Sequence, residues 1–508
     1  MTTLRHNIQS ALRGESEIHF HLRGFIQESI TRSWWLTLWL AILTYVVARV
    51  VLSQLAAAPV LTGIILLAWV LSVGATVISN VLHHHSPATF WLSRNLYSSI
   101  TNVLITLLLV LLIVAGVRGF IGWALLRASF STNPDVVAEW RAQWGHSGAN
   151  WGAVIANFRN LMVFRFPRSE TWRIYAVILW NVFLLIPSGY VYSREVFRGT
   201  RLRRILTILW LLTPIISFIL LVGVSTPSGI LPRLNPDIVW GGLLLTLIIA
   251  VFGIVASFPL GVILALGRRS RIRGIPAPLT WAATLVLTVY FLATSTLPSL
   301  QSATGLAQQI LAFWPLLIVL GAYLFQRYFQ GNVVAMLSTI YIEVIRGVPL
   351  ITILFMSIIL FPIFLPPQME VLSTWRVLVA VALFAAAYLA ENIRGGLQSI
   401  PNGQYEAADA LGLNTVRKYR LIIMPQALRA VIPAIVGQFI GLFKDTTLVA
   451  IVGLIELLGV ANLISAQPDW LGVRREPYVF IAMIYFTGNF IMATYSRRLE
   501  RKLGVGER

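Results

Sequence analysis

Long apolar runs separated by short polar stretches dominate the chain. A helix that crosses a membrane needs roughly 20 mostly apolar residues. About twelve runs reach that length, near 34–53, 59–80, 99–117, 174–192, 205–224, 238–266, 279–297, 310–328, 339–362, 376–394, 431–455 and 477–496. The strands of a barrel would alternate apolar and polar residues over about 10 positions, and residues 102–117 show no such alternation. The pattern predicts an all-α, polytopic membrane protein. Residues 1–33 are polar and carry Glu15, Glu17 and Glu28. No cleavable signal peptide is visible there, and the stretch reads as a cytoplasmic N-terminal segment.

Composition agrees. Of 508 residues, 57% are hydrophobic and 11% charged, against about 25% charged in soluble domains. An ordinary cytosolic enzyme, a disordered chain and a free-standing nucleic-acid binder are excluded. Basic residues outnumber acidic ones by 20, and in a membrane protein such an excess marks cytoplasmic loops. Arg194, Arg198, Arg201, Arg203 and Arg204 crowd one connection, and Arg268, Arg269, Arg271 and Arg273 another. The tail at 497–508 adds Arg497, Arg498, Arg501, Lys502 and Arg508. Twelve spans with both termini inside place all three clusters in the cytoplasm, and no nucleic acid is needed to explain the charge. Cysteine is absent, which rules out disulfides and thiolate metal sites.

One long external connection, 118–173, holds seven arginines and five tryptophans: Trp123, Trp140, Trp144, Trp151 and Trp172. Two readings fit it equally: a folded cap that receives a soluble partner or substrate, or tryptophans in the aromatic belt of the bilayer surface. His83, His84 and His85 are consecutive, so on a helix they point apart and make a poor metal site. They read as a polar cytoplasmic turn, and no metal site is expected.

The most informative stretch lies between the tenth and eleventh runs, over 395–430. Pro401 and Asn402 open a short helix containing Glu406, Ala407 and Ala408. Gly412 suits the left-handed residue that ends it. Asn414 or Thr415 caps a second short helix, past Arg417, Lys418 and Arg420 to Ile422, which Pro425 is expected to stop. This is a helix–turn–helix shaped to project from the membrane and dock. Glu406-Ala407-Ala408, then Gly412, then Ile422-x-Met424-Pro425 resembles the EAA loop of binding-protein-dependent ABC importer permeases, with Met424 where that family usually has Leu. The stretches 240–247, 341–350, 390–396 and 443–448 are similar to the polar amino-acid permeases. Residues 148–151 and 170–173 are similar to longer members that import general L-amino acids, including glutamate, glutamine and aspartate.

The resemblance implies a type I importer transmembrane domain over 238–496, preceded by accessory transmembrane helices over 34–230, in a bacterial plasma membrane. It implies an ATP-driven importer in which this chain is a transport subunit, not an enzyme. The implied partners are a second homologous permease chain or a second copy, two ATPase subunits, an extracellular or periplasmic amino-acid-binding protein and the lipid bilayer. No Gly-x-x-x-x-Gly-Lys-Ser/Thr phosphate loop occurs, so no cofactor is expected on this chain and ATP with Mg belongs to the ATPase. Glu406, Ala407, Ala408, Gly412, Arg417, Ile422 and Pro425 then form the ATPase-docking surface. One departure from the family is an inserted hairpin near 275–335, either a lateral accessory or a lid on the pathway.

Ionisable groups inside spans are costly and are functional candidates. Glu343 and Arg346, and Glu391 and Arg394, each stand three apart and can share a helix face. They form either ion pairs near the cytoplasmic ends or contacts to substrate. Lys444 falls mid-span, where it would hold a substrate carboxylate or pair with a buried acid. Asp445 would meet the ammonium only if the helix is irregular there, and Thr446 completes the set of pathway candidates. The rival readings are an ion-coupled secondary transporter, which has no use for an EAA loop, and a membrane enzyme, for which no catalytic cluster is found.

Overall fold

A computed structural model of the chain describes residues 34–504 except 83–85, 146, 198, 225–230, 271–273, 303 and 367. His83, His84, His85, the acids of the first 33 positions, Arg198, Arg271, Arg273 and Arg508 lie outside the described residues. In hydrocarbon each backbone N–H and C=O must be satisfied within the protein, which a helix does locally. Among the described residues, ten helices are long and apolar enough to cross a membrane. Two bent pairs bring the number to twelve if each is one span.

Two compact units divide the chain between Asn150 and Trp151. In the first, α1 (Trp34–Ala57), α2 (Pro59–Val81) and α3 (Ile100–Ile121) pack around Leu43, Val47, Leu107 and Leu111. The Ser99 hydroxyl caps α3 by accepting from the Asn102 N–H. The helix then runs on through a wide turn over Gly122–Leu126, shortening the tryptophan-rich connection. That connection is folded here: the Trp140 indole donates to the Arg127 carbonyl at 3.0 Å, and Ser129 N–H donates to the Ala149 carbonyl at 2.8 Å. Trp144 stays exposed.

The second unit begins with α4 (Trp172–Ser193) and α5 (Arg201–Val222). Their polar contacts are interhelical: Trp180 Nε1 donates to Thr213 Oγ1 at 3.0 Å and Trp210 Nε1 to Ser188 Oγ at 2.8 Å. Arg173, fully buried, pairs with Glu170 at 2.7 Å and donates to the Pro232 carbonyl at 2.9 Å. Next come α6 (Gly242–Arg268) and the inserted hairpin, built on α7 (Ala277–Phe291) and α8 (Leu316–Phe329). Thr296 Oγ1 closes the hairpin on the Ala312 carbonyl at 2.7 Å.

The run at 339–362, expected as one straight span, is two helices, α9 (Val333–Gly347) and α10 (Leu350–Phe355), and the stretch is bent by 107°. Pro349 causes the break. It has no N–H to donate, and it forces Val348 out of helical geometry to φ −110°, ψ 134°. Ile342 therefore packs with Ala265 and Ile393, whereas Leu350 packs among Ile249, Val377 and Val381.

The central element is α11 (Ser373–Gln398), followed by α12 (Asn402–Ala410), α13 (Met424–Asp445), α14 (Leu457–Ser465) and α15 (Arg475–Leu503). In α11, 61% of the most apolar window is buried, against 11–28% in the other straight spans. Its buried face is alanine-rich (Ala380, Ala382, Ala385, Ala386, Ala387 and Ala390), which brings α6 and α13 close. At Gly396 a Cβ would lie 2.5 Å from the Ala427 carbonyl oxygen, so only glycine permits this approach.

The start of α11 is capped from a distance. Asp237, on the turn before α6, accepts from Ser373 N–H and Thr374 N–H at 2.8 Å each and from Thr374 Oγ1 at 2.6 Å. Removing a cap costs about 1–2 kcal/mol. Asp237→Ala should therefore lower the thermal unfolding midpoint of the solubilised protein by several degrees. An unchanged midpoint would show that this cap contributes nothing.

Candidate coupling hairpin and transport core

The helix–turn–helix over 402–425 forms as its sequence suggests at its first turn and departs at its last. Pro401 precedes α12. Gly412 adopts φ +68°, with its N–H donating to the Asp409 carbonyl at 2.9 Å. The Asn414 side chain accepts from Arg417 N–H at 2.9 Å, capping Thr415–Lys418. Pro425, expected to stop this second helix, does not. A wide turn over Tyr419–Ile423 leads directly into α13, and Pro425 sits in its first turn, where its missing N–H costs little. The result is one continuous helical stretch over Thr415–Val452.

Burial divides the motif. Ala408 is fully buried and Ile422 half-buried, whereas Glu406, Ala407, Gly412, Arg417 and Pro425 are exposed. Leu411, Val416 and Leu421 also face outward, giving the hairpin an apolar tip. Lys418 pairs with Asp409 at 2.5 Å. Arg269 Nη1 lies 3.5 Å from the Tyr405 hydroxyl, so the end of α6 and the hairpin share one side of the molecule.

The charged residues form a network rather than two local pairs. Glu391 is clasped by Arg394 and also lies 3.5 Å from Arg346 and 3.4 Å from Arg268. Glu343 pairs not with Arg346 but with Arg268, at 2.8 Å. The guanidinium of Arg346 lies over the Tyr388 ring, 5.8 Å from its centre. Arg268 thus joins α6 to α9 and α11. Sequence reading counted it only as loop charge, and the available signal was its place two residues past the apolar run that ends near 266.

At the other end of α13 the three candidates separate. Lys444 is exposed and makes no side-chain hydrogen bond or ion pair among the described residues; Asp445 is half-buried. Thr446 is buried, donating to the Phe443 carbonyl at 2.7 Å and lying 3.3 Å from the Tyr485 hydroxyl. Tyr485 leads to a residue that sequence reading passed over. Glu456 is fully buried on the connection between the last two spans and caps α14 by accepting from Leu458 N–H at 2.8 Å and Gly459 N–H at 3.0 Å. Tyr485 and Thr246 hydroxyls stand 3.4 Å from it. Burial pushes its carboxyl up to about 7, against these donors, which hold it down. A further polar clasp joins α11 to α13: Asn392 Nδ2 donates to Gln438 Oε1 at 2.8 Å, and Gln438 Nε2 to the Ala385 carbonyl at 2.7 Å.

Spans packed on an alanine-faced helix, with a hairpin projecting from one end, define a polytopic helical membrane protein. Residues 316–505 match the family described as binding-protein-dependent transport system inner membrane component. The chain is 34% identical over 424 residues to the inner membrane amino-acid ABC transporter permease protein YhdY of Escherichia coli K12, covering 84% of this chain and 95% of that one. It is also 34% identical over 468 residues to the glutamate/glutamine/aspartate/asparagine transport system permease protein BztC of Rhodobacter capsulatus, covering 81% and 93%. Among solved structures it is similar to an amino acid ABC transporter crystallised with histidines (24% identity, 51% of this chain and 92% of that one, TM-score 0.36). This chain belongs to the amino-acid ABC transporter permeases. It is a multi-pass inner-membrane protein, the permease rather than the ATPase of its transporter.

The buried Glu456 makes stability depend on pH. Its unfolded carboxyl titrates near 4.5 and its folded one near 7. Between those values the folded state holds a proton that the unfolded state releases, so stability falls as pH rises through that window. Glu456→Gln should flatten the unfolding midpoint measured from pH 5 to pH 8. A slope equal to that of the unchanged protein would remove Glu456 as its source.

Proposed function

We propose that this chain moves polar L-amino acids, of the glutamate, glutamine and aspartate kind, inward across the bacterial plasma membrane, with the 402–425 hairpin as the seat of the ATPase. The observation that carries this reading is the hairpin itself: an exposed apolar tip on a buried alanine anchor, continuous with a core helix. The substrate class is supported by the names of the two long relatives. The complex would contain a second homologous permease or a second copy of this chain, two ATPase subunits holding ATP and Mg, and an external amino-acid-binding protein. The hairpin and both termini would face the cytoplasm.

In this reading Leu411, Val416 and Leu421 enter a groove on the ATPase. Ala407 allows close approach, Ala408 and Ile422 anchor the motif from within, and Gly412 sets its turn. Glu406 and Arg417 fix orientation at the rim, and Pro425 starts the helix that carries motion into the membrane. Because 415–452 is one helical stretch, closure of the ATPases displaces α13 directly, and alternating access follows as packed helices rock together. Lys444 would hold the substrate carboxylate. Gly437, Gly441 and Lys444 share one open face of α13, on which the second permease would complete the central cavity. Asp445 and Thr446 shape the helix end beside it. The network of Glu343, Arg346 and Glu391 would latch the inner ends of α6, α9 and α11.

Glu406→Lys reverses a rim charge, and Gly412→Pro forbids φ +68°. Either should insert in the membrane normally yet cut amino-acid uptake by the assembled importer by roughly 5- to 150-fold, the range of a typical coupling energy. Normal uptake coupled to ATP hydrolysis in both would refute the docking assignment. Lys444→Ala should reduce uptake while copurification with the other subunits persists; loss of assembly alone would make Lys444 structural.

A further inference from the structure

The inserted hairpin creates a groove that the transport core alone would lack. A cavity of about 790 Å³ lies between α8, the first half of α9 and the end of α6, within the range of small-molecule sites. Its wall is divided by polarity. Leu324, Phe325, Met336 and Ile340 supply an apolar flank; Arg268, Ser270 and Asn332 supply a polar end. Asn332 Nδ2 donates to the Ser270 carbonyl at 2.9 Å, which ties the start of α9 to the end of α6. No Asp or Glu occurs in sequence from residue 238 to 342. Arg268 is engaged by Glu343 and Glu391. Arg269, between two lining residues, and Arg327, on the lining helix α8, are both exposed; they reach the Tyr405 and Tyr323 hydroxyls and have no carboxylate partner among the described residues. A pocket between membrane helices with an apolar flank and exposed arginines neighbouring its polar end suits a phospholipid phosphate with acyl chains along the flank.

We propose that this groove binds one anionic phospholipid, its headgroup between Arg269 and Arg327 and its chains along Leu324, Phe325 and Ile340. The leaflet, the cytoplasmic one, rests on the orientation proposed above; the chemistry of the groove does not. The bound lipid would fill the seam between the inserted hairpin and the core, linking hairpin position to membrane charge.

Native mass spectrometry of the full chain, released from detergent after incubation with phosphatidylglycerol or phosphatidylcholine, tests this. Retention is read without the ATPase, so failure here would leave the docking reading untouched, and failure of docking would leave this result untouched. The chain should retain one phosphatidylglycerol with roughly tenfold preference over phosphatidylcholine, since each arginine near a membrane surface favours an anionic lipid by several-fold. The double variant Arg269→Gln, Arg327→Gln should bring the two lipids close to parity. Gly321 lines the cavity with open space where a Cβ would stand, so the side chain of Gly321→Leu starts into the groove and should abolish retention of that lipid. Equal retention of both lipids by the unchanged chain, an undiminished preference in the double variant, or a lipid kept by Gly321→Leu would each overturn the proposal.

Discussion

In a hydrocarbon solvent no hydrophobic force holds one apolar helix against another, so association depends on how closely backbones can approach. In this permease that approach is concentrated on α11. Its run of buried alanines admits α6 on one side and α13 on the other, and at Gly396 the backbone meets the Ala427 carbonyl with no room for a side chain. Dispersion contacts at this distance and the distant cap from Asp237 fix α11 in place. The 402–425 hairpin follows α11 directly, and the helix that leaves the hairpin packs back on it. Position of the hairpin and position of the core are therefore mechanically one quantity.

Charge is distributed with the same economy. An isolated ion in this setting is costly, and three arginines and two glutamates share a single network joining α6, α9 and α11. Glu456 shows the other solution, a lone carboxyl held by two backbone N–H groups at a helix start, where its ionised form is favoured by donors and opposed by burial. Lys444 follows neither pattern. It stands exposed on an open helix face, paired with no carboxylate among the described residues.

Much of this was legible in sequence wherever the signal is local. Twelve apolar runs correspond to the ten straight helices and two bent pairs, because crossing a bilayer imposes length and apolarity on each run separately. The first turn of the hairpin was also legible, since Pro401, Gly412 and Asn414 each dictate their own backbone geometry. Two prolines were harder to read. Pro349 breaks a run that looks continuous, and Pro425 starts a helix that it was expected to end. Proline is tolerated in a first turn, and Pro187, Pro214, Pro259 and Pro433 lie inside helices that run on past them, so its effect depends on how the freed backbone groups are satisfied nearby, which composition does not mark.

Length, apolarity and local turn chemistry thus determined by themselves that this is a multi-span helical protein with a projecting hairpin. Tertiary structure alone decided which helix is central, that Glu343 answers to Arg268 and not to Arg346, and that Glu456 is buried beside Tyr485 and Thr246. The physical reason is reach. Helix hydrogen bonding, and capping by a neighbouring side chain such as Asn414, act within about four residues. An ion pair between residues 75 positions apart, or a carboxyl desolvated by another span, exists only once the chain has folded and the spans have met.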